Sequence, residues 1–472
     1  MHQGFLNKIN KSYLVILVLL ISPNLFNKLN LIDNHEIFSN LNLFNNYIEF
    51  LKGHPEIITN FTTTTYRPFF YMIKGIEFFA FKDTSFFYFF VRSVIFIIIS
   101  LIFYEIAYVY LKQSLNLILL SLFVCVNPYS HDIFFRAGPQ EVFVLIFFSY
   151  ILLILVKDFN NLKISNNSKI IFYICLLLMG LTKEPYVIFS IIFLIYTYLF
   201  SKSFKFKKEI LLLIVINFFI FFIIYKHYLL NGHTYGASNN YSLNSGIILL
   251  LDFFKISKIH NIFFILQAFV IFLNFKKIIN KYLILVIFMN IFYFSNFIIT
   301  NGWVIHRYFV VYLICIFFLL LSIFYTYENS STRPFKKYII YFLLSLLILN
   351  IYIYIDRAIY KVKINRNFHN NIYNKIQQFE ILEIKKNLVN DREYYLSLVI
   401  FLKNLYPEKK ITLKNKTDAS ETLIKKINYE NLYSIKFETE KIFEFKLQKK
   451  ACFYLKKIDT DDFCEGEKII IK

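Results

Sequence analysis

Long apolar runs separated by short polar connections fill the first three quarters of this 472-residue chain. A bilayer core of about 30 Å takes about 20 helical residues. Continuous apolar runs of roughly this length indicate transmembrane helices, whereas membrane β-strands would show short alternating segments. We predict eleven spans, at 12–29, 85–108, 113–127, 140–156, 169–182, 185–200, 209–226, 260–275, 282–299, 306–326 and 337–355.

The distribution of lysines predicts which connections face the cytoplasm. With the N-terminus inside, the lysine-rich connections near Lys112 and at 157–169, 201–208, 276–281 and 327–337 all fall on the inner side. This agrees with the positive-inside rule. The first span follows Lys8 and Lys11 without a small-residue cleavage site, so we interpret it as a signal anchor. The outer face then carries a long first loop at 30–84, shorter loops and the C-terminal region.

One apolar run is interrupted by charge. Lys183 and Glu184 precede Pro185 inside the otherwise apolar stretch 170–200. A single helix over this stretch would be about 46 Å long, too long for one crossing. It would also place the basic segment 201–208 outside. We therefore predict a hairpin of two helices with Lys183 and Glu184 at its outer tip.

Composition supports the membrane class. The chain is 57% hydrophobic and 20% aromatic, with a mean hydropathy of +0.52. The excess of Phe, Ile, Asn, Lys and Tyr is typical of AT-rich coding, so no aromatic residue is singled out by frequency. The net charge of +21 does not indicate nucleic-acid binding, because the lysines follow the inner membrane face and a C-terminal surface domain.

The chain changes character after residue 356. We predict a transmembrane domain at 1–356 and a small extramembrane α/β domain at 357–472, which at about 115 residues is large enough for its own core. Alternating residues in "KKITLKN" and "KIFEFKLQKKACFYLKKI" predict strands. Cys452 and Cys464 are either a disulfide or two free thiols. The cysteine spacings are not those of a metal site.

Candidate acid–base chemistry lies in the first outer loop. In "LIDNHEIF", Asp33 and Glu36 are three residues apart and would share one helix face, with His35 beside them. Such a pair suits a general base, or a site that binds a hydroxyl group or a cation. The alternative is that these residues are simply the acidic, solvated start of a loop. No dedicated metal cage or other cofactor site is evident, and a divalent metal held weakly by these three residues stays open.

Basic residues recur in the other outer segments. In "YRPFFYMIKGIEFF", Arg67 is followed by Pro68 and then by apolar residues at helical spacing. This pattern predicts a helix that lies along the membrane interface. Arginine at this level either holds phosphate or extends towards the head groups. From "YRP", "RAGPQE", "GLTKEP" and "HRY" we take as candidate substrate-binding residues Arg67, Arg136, Glu141, Lys183, Glu184, Arg307 and Tyr308.

The order of these motifs resembles that of the GT-C glycosyltransferases, over about residues 12–326. The likeness is greatest to enzymes of the protein O-mannosyltransferase and aminoarabinose-transferase type. It implies a GT-C-like fold and an inverting transfer of a sugar from a polyprenyl-phosphate donor on the outer side of a bacterial inner membrane. It also implies that Asp33 is the base and Glu36 a helper. Arg67, Arg136, Lys183 and Arg307 would bind the phosphate, oriented by Glu141 and Glu184.

Some features depart from that family. Its first-loop acids are often adjacent, whereas "DNHE" separates them here, so which carboxylate acts as base stays open. The chain carries no tetratricopeptide array and its C-terminal domain is small, so the acceptor class (glycan, lipid or protein) is not transferred from the resemblance. The sequence does not indicate which sugar is used. The alternatives are a polyprenol-linked glycan flippase or transporter, and a glycan polymerase or ligase. A transporter should show internal repeats and mid-membrane charges, whereas Arg92 and Glu105 are expected near span ends.

Overall fold

The computed structural model describes residues 11–29, 44–53, 67–82, 84–111, 115–127, 129–184, 186–201, 207–231, 309–328 and 334–376, with four short C-terminal strands. Several predictions lie outside these residues: Asp33, His35, Glu36, Arg307, Tyr308, the spans 260–275 and 282–299, and the cysteine pair Cys452 and Cys464.

The described part of the chain is mostly helical. Its helices are α1 (Lys11–Ile21), extended by a 3₁₀ turn (Ser22–Phe26), α2 (Tyr47–Gly53), α3 (Pro68–Phe81), α4 (Ser85–Tyr108), α5 (Leu115–Leu122), α6 (His131–Phe134), α7 (Glu141–Phe159), α8 (Asn166–Thr182), α9 (Tyr186–Phe200), α10 (Lys207–Asn231), α11 (Phe309–Glu328) and α12 (Pro334–Ile376).

Among the residues whose side chains the structure also describes, three helical segments have the length and apolarity needed to cross a bilayer. They are Ser85–Tyr108, Glu141–Phe159 and Tyr341–Lys363, and they support the predicted membrane association. The helices enclose a large apolar core, where aromatic rings pack edge to face, for example Phe103 against Phe317 with centroids 4.9 Å apart. Large apolar side chains also cover outward surfaces, as expected where a helix meets lipid rather than water. The total of eleven spans stays a prediction.

The predicted break into two helices at Lys183–Glu184 is confirmed, and the position of this tip on the outer side stays a prediction. Helix α8 ends at Thr182 and α9 begins at Tyr186. The two helices pack closely, with the Ser190 hydroxyl donating to the Leu176 carbonyl at 2.7 Å. Gly180 allows this approach, because a Cβ added there would lie 2.9 Å from Cγ2 of Val187.

The span predicted at 113–127 forms a shorter helix than expected. Helix α5 is Leu115–Leu122, and turns continue the chain to Asn127. The Asn127 side chain donates to the Val124 carbonyl at 2.7 Å and accepts from the Tyr129 amide at 2.9 Å. Side-chain bonds of this kind compete with helical ones, and Pro128 disfavours the helical conformation of the residue before it.

Contacts distant in sequence define two ends of the bundle. At one end, the Asn24 and Asn27 amides donate to the carbonyls of Phe134 and Phe135 at 2.9 and 3.0 Å. There the Asn365 amide also donates to Asn27 at 2.9 Å. At the opposite end of α4 and α7, Lys157 pairs with Glu105. Helix α3 lies at the same end as Asn24 and Asn27.

The C-terminal region contains a four-stranded mixed sheet. Its strands are β1 (Ile381–Lys385), β2 (Lys410–Lys414), β3 (Phe443–Lys446) and β4 (Lys468–Ile471), in the order β2-β1-β4-β3. Strands β1 and β2 are parallel, while β4 is antiparallel to both β1 and β3. Strands β2 and β3 lie in stretches where strands are predicted, and the complete α/β domain stays a prediction.

Candidate functional site

Helix α3 has its charged face inward. Pro68 occupies its first turn, where a missing N–H costs nothing and φ is already helical. Lys74 and Glu77 lie three residues apart on one face and are only 1% and 4% exposed, whereas Met72 and Ile76 are 41% and 56% exposed. A helix bordered by water would show the reverse pattern. The exposed apolar face therefore suits the predicted position along a membrane interface.

The inward face of α3 meets an arginine of α4. Both Glu77 carboxylate oxygens accept from Arg92, from Nη1 at 2.6 Å and from Nη2 at 3.0 Å. Glu77 also accepts from Lys74 Nζ at 3.0 Å. Arg92 Nη2 donates to the Ala137 carbonyl at 2.7 Å, and Lys74 donates to the same oxygen. The two cations are thereby held by one carboxylate and one carbonyl.

Burial and charge act in opposite directions on Glu77. Burial raises the pKa of its carboxyl group, but the neighbouring Arg92 and Lys74 charges together with their hydrogen bonds outweigh burial, so the pKa lies below its ordinary value. Glu77 is consequently ionised at neutral pH. Arg92 is fully buried, and its guanidinium lies over the Phe143 ring at 4.8 Å from the centroid, which adds a cation–π contact.

The hairpin tip carries two further ion pairs. Lys183 pairs with Glu141, and these side chains are only 4% and 3% exposed. Glu141 is the first residue of α7, where a negative charge is favoured by the helix dipole. The neighbouring Glu184 accepts from Arg67 Nε with both oxygens, at 2.8 and 2.9 Å. The tip therefore joins the start of α7 to the start of α3.

The structure brings together most of the described candidates. Arg67, Glu141, Lys183 and Glu184 form two pairs. Arg136 is buried at 7% exposure and directly precedes Ala137, the acceptor for Lys74 and Arg92. We call the charged cluster the set of Arg67, Lys74, Glu77, Arg92, Arg136, Glu141, Lys183 and Glu184.

Sequence reasoning missed the central part of this cluster. Lys74 and Glu77 lie within the segment that was predicted only as an amphipathic helix, and Arg92 was expected near a span end without a role in the site. The spacing of Lys74 and Glu77 on one face of a largely apolar helix was the available signal. Their partner could not be inferred, because Glu77 and Arg92 are fifteen residues apart on different helices.

The charged cluster has an excess of positive charge. Five of its members are basic and three are acidic. Charges buried away from water act on one another, or on an anion that reaches them, more strongly than they would in solution. Within the described ranges, no group of three His, Cys, Asp or Glu side chains is arranged to hold a metal ion.

Comparison with known proteins adds no assignment to this geometry. The chain matches no protein-family model, no curated protein and no solved structure.

Proposed function

We propose that this protein is a membrane glycosyltransferase that uses a polyprenyl-phosphate-linked sugar. It transfers the sugar to an envelope acceptor, which is a glycan, a lipid or a protein, on the outer face of the membrane. The observation that supports this function best is the buried pairing of Lys183 with Glu141 and of Arg67 with Glu184. The motifs that resemble GT-C enzymes assign the same basic residues to phosphate and the same acids to orienting them.

The proposed reaction places the charge change at the phosphate. Asp33 takes the proton of an acceptor hydroxyl, whose oxygen attacks the anomeric carbon of the sugar. The bond between that carbon and the phosphate oxygen breaks, and the oxygen keeps the electron pair. The leaving polyprenyl phosphate gains one negative charge. Cations placed beforehand stabilise this charge more in the transition state than in the substrate.

The acidic partners explain how such cations can be kept buried. An isolated buried ammonium or guanidinium group is costly, and a hydrogen-bonded carboxylate offsets much of that cost. Glu141 and Glu184 also fix the direction of Lys183 and Arg67 before substrate arrives. Preorganisation of this kind avoids reorganising the charges during the reaction.

The test is a turnover assay with the full-length protein in detergent. The protein should release free polyprenyl phosphate from a polyprenyl-phosphate sugar when cell-envelope acceptor extract is present. The Lys183→Gln/Glu141→Gln variant removes both charges of one pair and leaves no unpaired buried ion from it. We expect it to keep its thermal midpoint within a few degrees and to lose about 10²–10³-fold in turnover.

The control variant is Lys163→Gln, which changes an exposed lysine near the opposite end of the bundle and should leave turnover unchanged. Full activity in the folded Lys183→Gln/Glu141→Gln variant would show that Lys183 does not bind the phosphate. Full activity of Asp33→Asn would show that Asp33 is not the base.

A transporter is the second candidate, and buried Arg92 is the feature that favours it. However, Arg92 lies only seven residues after Ser85, the first residue of α4, which is about 10 Å along the helix. Its partner Glu77, and Lys74 which shares that carboxylate, belong to α3, outside the three long apolar helices. The same assay separates the classes, because a flippase would move the intact lipid-linked sugar without releasing polyprenyl phosphate.

A further inference from the structure

A cleft separate from the charged cluster lies beside the last long helix. Its volume is about 430 Å³, and it lies between the 3₁₀ turn after α1 and the later part of α12. Two hydrogen bonds keep these elements together: Asn365 donates to Asn27 at 2.9 Å, and the Tyr354 hydroxyl donates to the Leu20 carbonyl at 3.3 Å. The residues that line it include Pro23, Phe26, Ile359, Val362, Lys363 and Arg366.

The polar side of the cleft is basic. Lys363 and Arg366 are exposed and lie three residues apart, so their charges share one helix face and repel each other. Neither forms an ion pair with another described residue. The sequence from 357 to 376 contains no Asp or Glu. Asp356, the nearest acid in α12, precedes Lys363 by seven residues, about 10 Å along the axis. An anion between the two cations would relieve their repulsion.

The apolar side of the cleft faces outward. Phe26 is 64% exposed and Ile359 is 54% exposed. Four α12 residues form one stripe along the helix, because Ile359, Val362, Lys363 and Arg366 follow the 3, 4, 7 spacing. The stripe therefore changes from apolar to basic in the direction of the C-terminus. A ligand that follows it must have an apolar part and an anionic part in the same order.

The cleft lies beyond the uncharged part of α12, towards the polar side of the membrane boundary. The uncharged stretch of α12 ends at Ile355, where Asp356 and Arg357 follow, while the helix itself continues to Ile376. Lys363 lies seven residues after Asp356, about 10 Å further along the axis, on the side where lipid head groups lie. A cleft of about 430 Å³ is at the small end of ligand sites. It suits a phosphoglycerol head group, with most of each acyl chain left outside.

We propose that this cleft binds an anionic membrane phospholipid. Lys363 and Arg366 hold the phosphate, and an acyl chain lies against Phe26 and Ile359. The bound lipid joins the end of α1 to α12 at the membrane surface. This site is independent of the proposed transferase activity, because it shares no residue with the charged cluster.

Native mass spectrometry of the full-length protein tests the proposal. Protein in a mild detergent is titrated with phosphatidylglycerol or phosphatidylcholine, and bound lipid is counted. We expect preferential retention of phosphatidylglycerol. The Lys363→Gln/Arg366→Gln variant should bind it about 30-fold more weakly. The matched variant Lys163→Gln/Lys208→Gln loses the same charge at exposed positions elsewhere and should bind as the unmodified protein does.

Two further measurements locate the lipid and identify its source. A phosphatidylglycerol with a photoreactive acyl chain should label the peptides that contain Phe26 and Ile359. Free glycerol phosphate should compete poorly, because it lacks the chain. The proposal is wrong if the two double variants bind equally, if both lipids are retained equally, if the labels fall elsewhere, or if glycerol phosphate competes as well as the lipid.

Discussion

Replacing Glu77 by Gln tests the central ion network most directly. The substitution keeps the size of the side chain and removes the carboxylate that accepts three hydrogen bonds from Arg92 and Lys74. These cations are 0% and 1% exposed, so water cannot readily replace the lost partner. Removing one member of a buried ion pair typically costs about 3–5 kcal/mol. The amide oxygen of the introduced glutamine still accepts a hydrogen bond, but its NH₂ group faces the N–H donors of Arg92 and Lys74. We therefore expect the free energy of unfolding to fall by this amount.

A thermal scan with a thiol-reactive dye measures the effect. Cys125 and Cys175 are buried free thiols that react once the bundle opens. A loss of about 3–5 kcal/mol should lower the unfolding midpoint by roughly 6–20 °C, with a change of 2–4 °C per kcal/mol. Glu209→Gln alters an exposed acid and should change the midpoint by no more than about 2 °C. A midpoint for Glu77→Gln as close to wild type as this control would refute our account of the network.

The same network predicts acid sensitivity. The pKa of Glu77 is lowered from its ordinary value of 4.5 in the folded protein, because Arg92 and Lys74 outweigh the effect of burial. The stabilisation is therefore fully present above pH 4.5 and is lost as the pH falls through the folded-state pKa. The Glu77→Gln variant lacks this titrating group. The midpoints of wild type and variant should differ most near neutral pH and converge in acid, and a constant difference across this range would contradict the assignment.

Two other predictions concern the hairpin and the orientation of the bundle. Gly180→Leu should destabilise the protein by about 1–3 kcal/mol, because a Cβ at this position would lie 2.9 Å from Val187. The same thermal scan measures this effect, and an unchanged midpoint would contradict the close packing of α8 and α9. In a background without native cysteines, Thr84→Cys should react with an impermeant thiol reagent added outside intact cells, whereas Ser165→Cys should not. Both positions are exposed, and the reverse labelling pattern would invert the proposed topology.

Several features of this protein follow from local sequence. The break in the apolar run at Lys183 was predictable, because helix rise per residue and bilayer thickness together limit the length of a span. The α3 helix was predictable from Arg67–Pro68 and the apolar spacing that follows. The pairing of the charged residues could be predicted only in part from the sequence. Glu141 and Glu184 were expected to orient basic residues, but which base each would contact depended on how α3, α7 and the hairpin tip come together.

The sequence by itself determined the membrane class, the hairpin and a set of charged candidates, since these depend on hydropathy, length and residue type. Only the tertiary structure decided that Lys74 and Glu77 point into the bundle towards Arg92. A helical pattern specifies which residues share a face, but the neighbours that pack there decide whether that face is buried. The cleft beside Lys363 has the same origin, because its two walls are more than 330 residues apart in the chain and meet only through packing of α1 against α12.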